Sequence, residues 1–158
     1  MNIPKLAIII PCYNEELCVE NTAQKLFAVL NHLIRLNKIR KDSYMYFIDD
    51  GSQDRTWAII ERMHRLNPLV KGQKFIKNFG NQKAIIAGLE AVKRIGCDCV
   101  VSIDADLQQD EWIIETFVDK YMQGYDVVSG IRNDRKTDTI FKKLTAIMFY
   151  KIMNILGA

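Results

Sequence analysis

Apolar runs of strand length alternate with helix-period segments from one end of the chain to the other. Residues 6–10, Leu-Ala-Ile-Ile-Ile, make the unbroken apolar run expected of a strand buried on both faces. Val19, Ala23, Leu26, Phe27, Leu30 and Ile34 then recur at the helical period. Residues 44–48 predict a second strand, and Trp57, Ile60, Met63 and Leu66 mark one face of a second helix. Residues 74–76 predict a short third strand, followed by a helix with the small-residue stripe Ala84, Ala87, Gly88 and Ala91. Residues 99–103 predict a fourth strand, Ile113, Ile114, Phe117, Val118 and Tyr121 a fourth helix, and residues 126–129 a fifth strand. Parallel strands joined through helices cross over in the right-handed sense, which covers both faces of the sheet. The expected fold class is α/β, a mostly parallel sheet with helices on both sides.

Four polar clusters gather at one edge of that frame. Pro11-Cys-Tyr-Asn-Glu15 follows the first strand, Asp49-Asp-Gly-Ser52 the second, Asn78-Phe-Gly80 the third and Asp104-Ala-Asp106 the fourth. All lie at carboxyl ends of strands, where open α/β sheets bind their ligands. No G-x-G-x-x-G follows the first strand and no G-x-x-x-x-G-K occurs anywhere, so dinucleotide redox chemistry and P-loop hydrolysis lack their phosphate cradles. His32 and His64, the two histidines, fall within predicted helices, which leaves a Ser-His-Asp hydrolase poorly supported.

Asp104 and Asp106 leave the fourth strand one residue apart, close enough for one divalent cation to draw on both. Hard oxygen ligands suit Mg²⁺ or Mn²⁺, which also take diphosphate oxygens, and Gln108 adds a neutral oxygen. The plainer reading is a turn with Asp110 capping the next helix. Ser52, Asp54 and Thr56 read as caps for the helix around Trp57, which leaves the adjacent pair Asp49 and Asp50 unexplained. Asp50 is placed to accept hydrogen bonds from a nucleobase or ribose. Asn78-Phe-Gly-Asn81 opens a helix whose free N–H groups favour an anion, with Lys77 beside it.

Composition changes the picture chiefly at the C-terminal end. With 158 residues, 49% hydrophobic and 26% charged, 8 Gly and 3 Pro, the chain reads as one globular domain and not as a disordered or collagen-like polymer. A net charge of +3 without a run of basic residues gives no argument for a nucleic-acid partner. The positive charge is uneven, since residues 131–158 hold Arg132, Arg135, Lys136, Lys142, Lys143 and Lys151 against Asp134 and Asp138. In residues 139–156, Phe141, Leu144, Met148, Ile152, Ile155 and Leu156 fall within about 120° of helical arc, with Lys142, Lys143 and Lys151 outside it. That pattern predicts an amphipathic helix on an anionic membrane surface and divides the chain into residues 1–138 and 139–158. Cys12, Cys18, Cys97 and Cys99 lack paired C-x-x-C spacing and are expected as reduced thiols in a cytosolic setting, Cys97 and Cys99 sharing one strand face. The run at residues 6–10 is too short for a signal peptide, and no stretch reaches the roughly 18 apolar residues of a spanning helix.

Ile8-Ile-Ile-Pro-Cys-Tyr-Asn-Glu15, Ile48-Asp-Asp-Gly-Ser52, Asn78-Phe-Gly80 with Ala87-Gly-Leu89, and Asp104-Ala-Asp-Leu-Gln108 occur in this order and spacing. Together they resemble the family 2 glycosyltransferases, and within them the polyprenyl-phosphate sugar transferases, the group of dolichyl-phosphate mannosyltransferase and the bactoprenol glucosyltransferases. The likeness continues through Gly130-Ile-Arg132 and the segment from Phe141 to Tyr150. It implies a Rossmann-like, nucleotide-sugar-binding fold of the GT-A type. The implied reaction is metal-dependent, inverting transfer of a hexose from a nucleoside-diphosphate sugar, UDP- or GDP-hexose, to polyprenyl phosphate.

Position by position, the resemblance implies that Pro11, Tyr13, Glu15, Ile48 and Asp50 hold the nucleotide. It implies Asp104, Asp106 and Gln108 as ligands of Mg²⁺ or Mn²⁺, with Asp104 and Asp106 the catalytic pair and Asp104, Ala105 and Asp106 touching the nucleotide sugar. Arg132 faces the donor phosphates, and Arg132, Arg135 and Lys77 are the implied acceptor-phosphate residues. The resemblance further implies work at the cytoplasmic face of a membrane and additional sequence past Ala158, and it leaves homo-oligomers open. Two alternatives stand beside it: a family 2 enzyme acting on a sugar or protein hydroxyl, and a truncated domain that binds a nucleotide sugar without catalysis. A phosphate acceptor is already anionic and needs no strong general base, in keeping with a chain without a poised histidine.

Overall fold

The computed structural model describes residues 3–130. Strands and helices alternate as β1 (Leu6–Cys12), α1 (Val19–Arg35), β2 (Tyr44–Asp49), α2 (Thr56–Leu66), β3 (Val70–Lys74), α3 (Asn81–Ile95), β4 (Cys99–Ser102) and α4 (Ile113–Met122). The strands form one sheet in the order β3-β2-β1-β4, and every neighbouring pair is parallel. β1 is flanked on both edges and covered on both faces, which is why all seven of its residues are buried and its sequence is almost wholly apolar. Successive side chains alternate between the two layers. Leu6, Ile8 and Ile10 join the core beneath α1, α2 and α4, whereas Ala7 and Ile9 face α3.

The helices follow their apolar stripes. In α1, Val19, Ala23, Leu26, Val29, Leu30 and Leu33 are buried, and each large side chain removed from water contributes about 1.5–3 kcal/mol. The helix stops because Asn37 turns left-handed at φ +54°. Its N–H donates to Ile34 O at 3.0 Å and that of Lys38 to Leu33 O at 2.9 Å, the paired bonds that satisfy orphan carbonyls at a helix end. In α3 the small stripe permits close seating on the sheet: a Cβ at Gly88 would lie 2.7 Å from Ile48 Cδ1.

Three expectations are corrected. β3 runs over Val70–Lys74 and not residues 74–76, because this edge strand, Val-Lys-Gly-Gln-Lys, buries only Val70 and so carries no apolar run. Ile76, which suggested the strand, is exposed past its end. Residues 126–129 form no strand; they pair with no described strand, and Val127 is 83% exposed. An extended segment without a neighbour has no ladder to join. Cys97 and Cys99 do not share a face, since β4 begins only at Cys99: Cys97 packs toward α3 and Cys99 toward the opposite layer. The division at residue 138 and the helix expected over 139–156 lie outside the described residues. Among the described residues no helix is long and apolar enough to cross a membrane.

Candidate functional site

The carboxyl ends of β1, β2 and β4 and the first turn of α3 enclose an open cleft of about 380 Å³. Pro11, Cys12, Tyr13, Glu15, Asp50, Asn78, Gly80, Asn81, Ala84, Asp104, Ala105 and Asp106 line it. Seven of the site residues implied by the resemblance are thus brought together, Pro11, Tyr13, Glu15, Asp50, Asp104, Ala105 and Asp106, along with Asn78, Gly80 and Asn81 of the anion-favouring turn. Three are not. The Ile48 side chain is buried beneath α3 against Gly88. Lys77 is exposed, its ammonium 5.4 Å from the Phe79 ring centroid. Gln108 is exposed and donates its backbone N–H to Asp106 Oδ1 at 3.2 Å. Arg132 and Arg135 lie outside the described residues. Cys12 and Ala84 line the cleft unforeseen; the β1–β2 register that pairs Cys12 with Asp49 places the cysteine at the ligand edge.

The Asp104–Asp106 turn is anchored from beneath. Ala105 is buried, and its carbonyl accepts from Thr22 Oγ1 on α1. Leu107 adopts φ +46°, a strained setting for a bulky residue, and thereby packs its side chain against the core. Asp104 and Asp106 stay exposed on either side of this anchor. Gln109 Nε2 donates to Asp104 Oδ2 at 3.0 Å, so each carboxylate keeps one oxygen unbonded among the described residues. Among those residues no group of three or more His, Cys, Asp or Glu forms a metal cage. Two exposed carboxylates, each with an unbonded oxygen, are a donor set that fits an ion shared with a phosphate ligand, the way Mg²⁺ is held by one or two carboxylates plus substrate oxygens.

Asp49 and Asp50 divide their labour. Asp50 is 3% exposed, accepting the N–H of Phe79 on Oδ1 at 2.7 Å and that of Gly80 on Oδ2 at 2.8 Å. It thereby fastens the β3–α3 loop to the cleft wall. Gly51 makes that approach possible: at φ +75°, a Cβ there would sit 2.3 Å from the Lys77 carbonyl carbon. Asp49 is fully buried, with Oδ1 accepting the Ser52 N–H at 2.9 Å. Its Oδ2 has no hydrogen-bond partner among the described residues and relies on the Lys74 ammonium 3.6 Å away.

Of Ser52, Asp54 and Thr56, only Asp54 serves α2 as expected, accepting the N–H of its first residue, Thr56, at 2.9 Å, while the N-cap residue Arg55 makes no side-chain cap. Oxygens of all three accept the backbone N–H groups of the β1–α1 loop, Asn14 on Ser52 Oγ at 2.9 Å, Glu15 on Thr56 Oγ1 at 2.8 Å and Glu16 on Asp54 Oδ2 at 3.0 Å. Asp110 accepts the Trp112 N–H at 3.0 Å in the turn ahead of α4, whose N-cap position, Trp112, makes no side-chain cap. Cys18 Sγ lies 2.9 Å from Glu15 Oε2. Burial, the hydrogen bond to Glu15 and that carboxylate's charge push the Cys18 thiol up to about 12, so it stays protonated and donates. Burial, then the charges of Asp49 and Glu15, raise Cys12 well above the ordinary thiol range. His32 pairs with Glu115 at 3.4 Å and His64 with Val70 O at 2.6 Å, and neither lines the cleft.

A family model described as Glycosyl transferase family 2 matches residues 7–157. The chain belongs to that family. It is 48% identical over 154 residues to the uncharacterized glycosyltransferase YkoT of Bacillus subtilis (strain 168), covering 98% of this chain and 45% of that protein. It is 33% identical over 150 residues to the bactoprenol glucosyl transferase of Shigella phage SfV, covering 95% of this chain and 46% of that protein. This family 2 chain thus spans about half the length of the curated relatives it matches. Among solved structures, glucosyl-3-phosphoglycerate synthase from Mycobacterium tuberculosis, in complex with Mn²⁺, uridine diphosphate and phosphoglyceric acid, shares the fold. The TM-score is 0.55 at 17% identity, over 94% of this chain and 51% of that one. The fold of this glycosyltransferase-family chain is accordingly of the GT-A type.

Proposed function

We propose that this chain is the donor-binding part of an inverting glycosyltransferase that moves a hexose from UDP- or GDP-hexose to polyprenyl phosphate at the cytoplasmic face of a membrane. One observation carries the donor half of the reading. Glu15, Asp50, Asp104 and Asp106 all line the cleft, and no Lys or Arg appears among its described lining residues. Two like charges 4 Å apart repel by about 4 kcal/mol at an effective dielectric of 20, so a diphosphate enters such a cleft only with its charge neutralised. Mg²⁺ or Mn²⁺ between Asp104, Asp106 and the donor oxygens would supply that neutralisation and stabilise the leaving diphosphate. Tyr13, Glu15 and Asp50, with Asn78 and Gly80 of the loop that Asp50 fastens, line the part of the cleft that would take the nucleoside. The acceptor half rests on the bactoprenol glucosyl transferase relative, on the basic residues 131–158, and on the absence of histidine from the described lining, which suits an acceptor oxygen that is already ionised.

The decisive assay measures release of UDP or GDP from UDP-glucose or GDP-mannose, with and without Mn²⁺ and with and without polyprenyl phosphate. Release that requires both additions supports the proposal; equal turnover with a free sugar or peptide hydroxyl replaces its acceptor, and donor binding without turnover reduces the chain to a binding module. In a companion measurement, Asp106→Asn should abolish the effect of Mn²⁺ on UDP affinity while leaving the fold intact, because Asp106 is exposed and only one backbone N–H leans on it. An unchanged Mn²⁺ response refutes the metal assignment.

A further inference from the structure

We propose that Ser52, Asp54 and Thr56 are positioning residues of the nucleotide site, holding the β1–α1 loop in the one conformation that keeps Tyr13 and Glu15 in the cleft. The proposal rests on the nucleotide reading above. Past Cys12 the loop has left the sheet, and its N–H groups have no strand to pair with. Three consecutive ones, on Asn14, Glu15 and Glu16, are taken at 2.8–3.0 Å by Ser52 and Asp54 of the neighbouring β2–α2 loop and by Thr56 at the start of α2. Three bonds run in the opposite direction. The Gln53 N–H donates to Asn14 Oδ1 at 2.9 Å, and both the backbone N–H and Nε–H of Arg55 donate to Glu16 Oε2.

The two loops are therefore closed on each other like teeth. Asn14 sits at φ +56°, the left-handed region that asparagine enters more readily than other non-glycine residues, and its own Oδ1 takes part in the closure. Ser52 and Thr56 are buried, so their hydroxyls are committed to these bonds and not to solvent. Thr56 Oγ1 accepts from Glu15 while donating to Asp54 Oδ1, a chain in which each bond polarises the next. Although burial disfavours the Asp54 carboxylate, donors from Thr56 and the Glu16 backbone outweigh it and hold its pKa below the usual range. A residue serving only as a cap would spend its oxygen on its own helix. Here that is true of one bond alone, Thr56 N–H to Asp54 Oδ1 at 2.9 Å.

The test uses the full chain, with UDP and GDP as probes in the presence of Mn²⁺. Thr56→Val keeps the shape and removes the acceptor, Thr56→Ser restores it, and Leu33→Ala provides a destabilised control at the far end of α1. Calorimetry should show Thr56→Val binding the parent's preferred nucleotide about tenfold or more weakly, and Thr56→Ser within about threefold of the parent. Leu33→Ala should lower the urea midpoint further while keeping parental affinity, a separation that a merely structural role would not produce. Without ligand, hydrogen exchange at the Asn14, Glu15 and Glu16 amides should quicken about tenfold or more in Thr56→Val. Parental affinity or parental exchange in Thr56→Val overturns the positioning role, as does an equal loss of affinity in Leu33→Ala. A parent chain that binds neither nucleotide overturns the nucleotide reading and the positioning role together.

Discussion

Replacing Asp50 with Asn changes neither size nor shape, yet it removes a charge and turns one acceptor into a donor. In the native chain both carboxylate oxygens are engaged, by Phe79 N–H at 2.7 Å and Gly80 N–H at 2.8 Å, with the residue 3% exposed. The amide can satisfy only one of these donors, and its NH₂ group faces the other. A charge-assisted bond contributes about 1.5–3 kcal/mol, and a stranded buried donor costs about 1–3 kcal/mol. Because the loop borders an open cleft that admits water, the expected net loss is about 2–3 kcal/mol. With a urea slope of about 2–3 kcal/mol/M, the midpoint falls by about 1 M, and the melting temperature by about 5–10 °C. Circular dichroism across a urea titration measures the first figure. Uridine or guanosine affinity, without phosphates, should fall in the same variant because Asn78 and Gly80 line the cleft. A midpoint shift below about 0.25 M refutes the anchoring role, since two satisfied charge-assisted bonds cannot vanish at so small a cost. A normal midpoint with lost nucleoside binding would instead make Asp50 purely a ligand contact.

Gly51→Ala combines a φ of +75° with a Cβ 2.3 Å from backbone, and thermal denaturation should show a loss of about 2 kcal/mol or more. Gly124→Ala, at φ +92° with nothing within 4 Å, should lose only about 1 kcal/mol, so equal losses would discredit the close-approach argument. Asp54, whose pKa is depressed in the folded chain, contributes stability that is present at neutral pH and fades as pH falls below about 4 through its folded value. The stability gap between the parent and Asp54→Asn should accordingly be constant from about pH 5 to 7 and narrow in more acidic buffer. Burial and the Glu15 carboxylate push the Cys18 thiol up to about 12 and keep it protonated at pH 8, so it should react with a disulfide reagent far more slowly than in urea. Glu15→Gln should speed that reaction, and an unchanged rate would detach the thiol from the carboxylate.

The α/β class, the four helices, three of the four strands and seven cleft residues were legible because each rests on a local signal. Burial on two faces writes a continuous apolar run, as in β1, and burial on one helical face writes a 3.6-residue period, as in α1. The ligand edge followed from polar residues placed where such runs stop. What stayed hidden depended on neighbours distant in the chain. β3 is an edge strand of polar residues, recognisable only through its pairing with β2, and residues 126–129 have strand composition but no described partner. Ile48 ends the β2 apolar run yet points beneath Gly88, since its position in the pleat decides which face it meets. Ser52, Asp54 and Thr56 look like caps because the residue types that end helices also satisfy any other orphan N–H within reach. By itself the sequence determined which segments could form elements and where their polar ends would gather. Tertiary structure alone decided which donors those oxygens take, because hydrogen bonds between loops 38–41 residues apart depend on how the strands beneath them align.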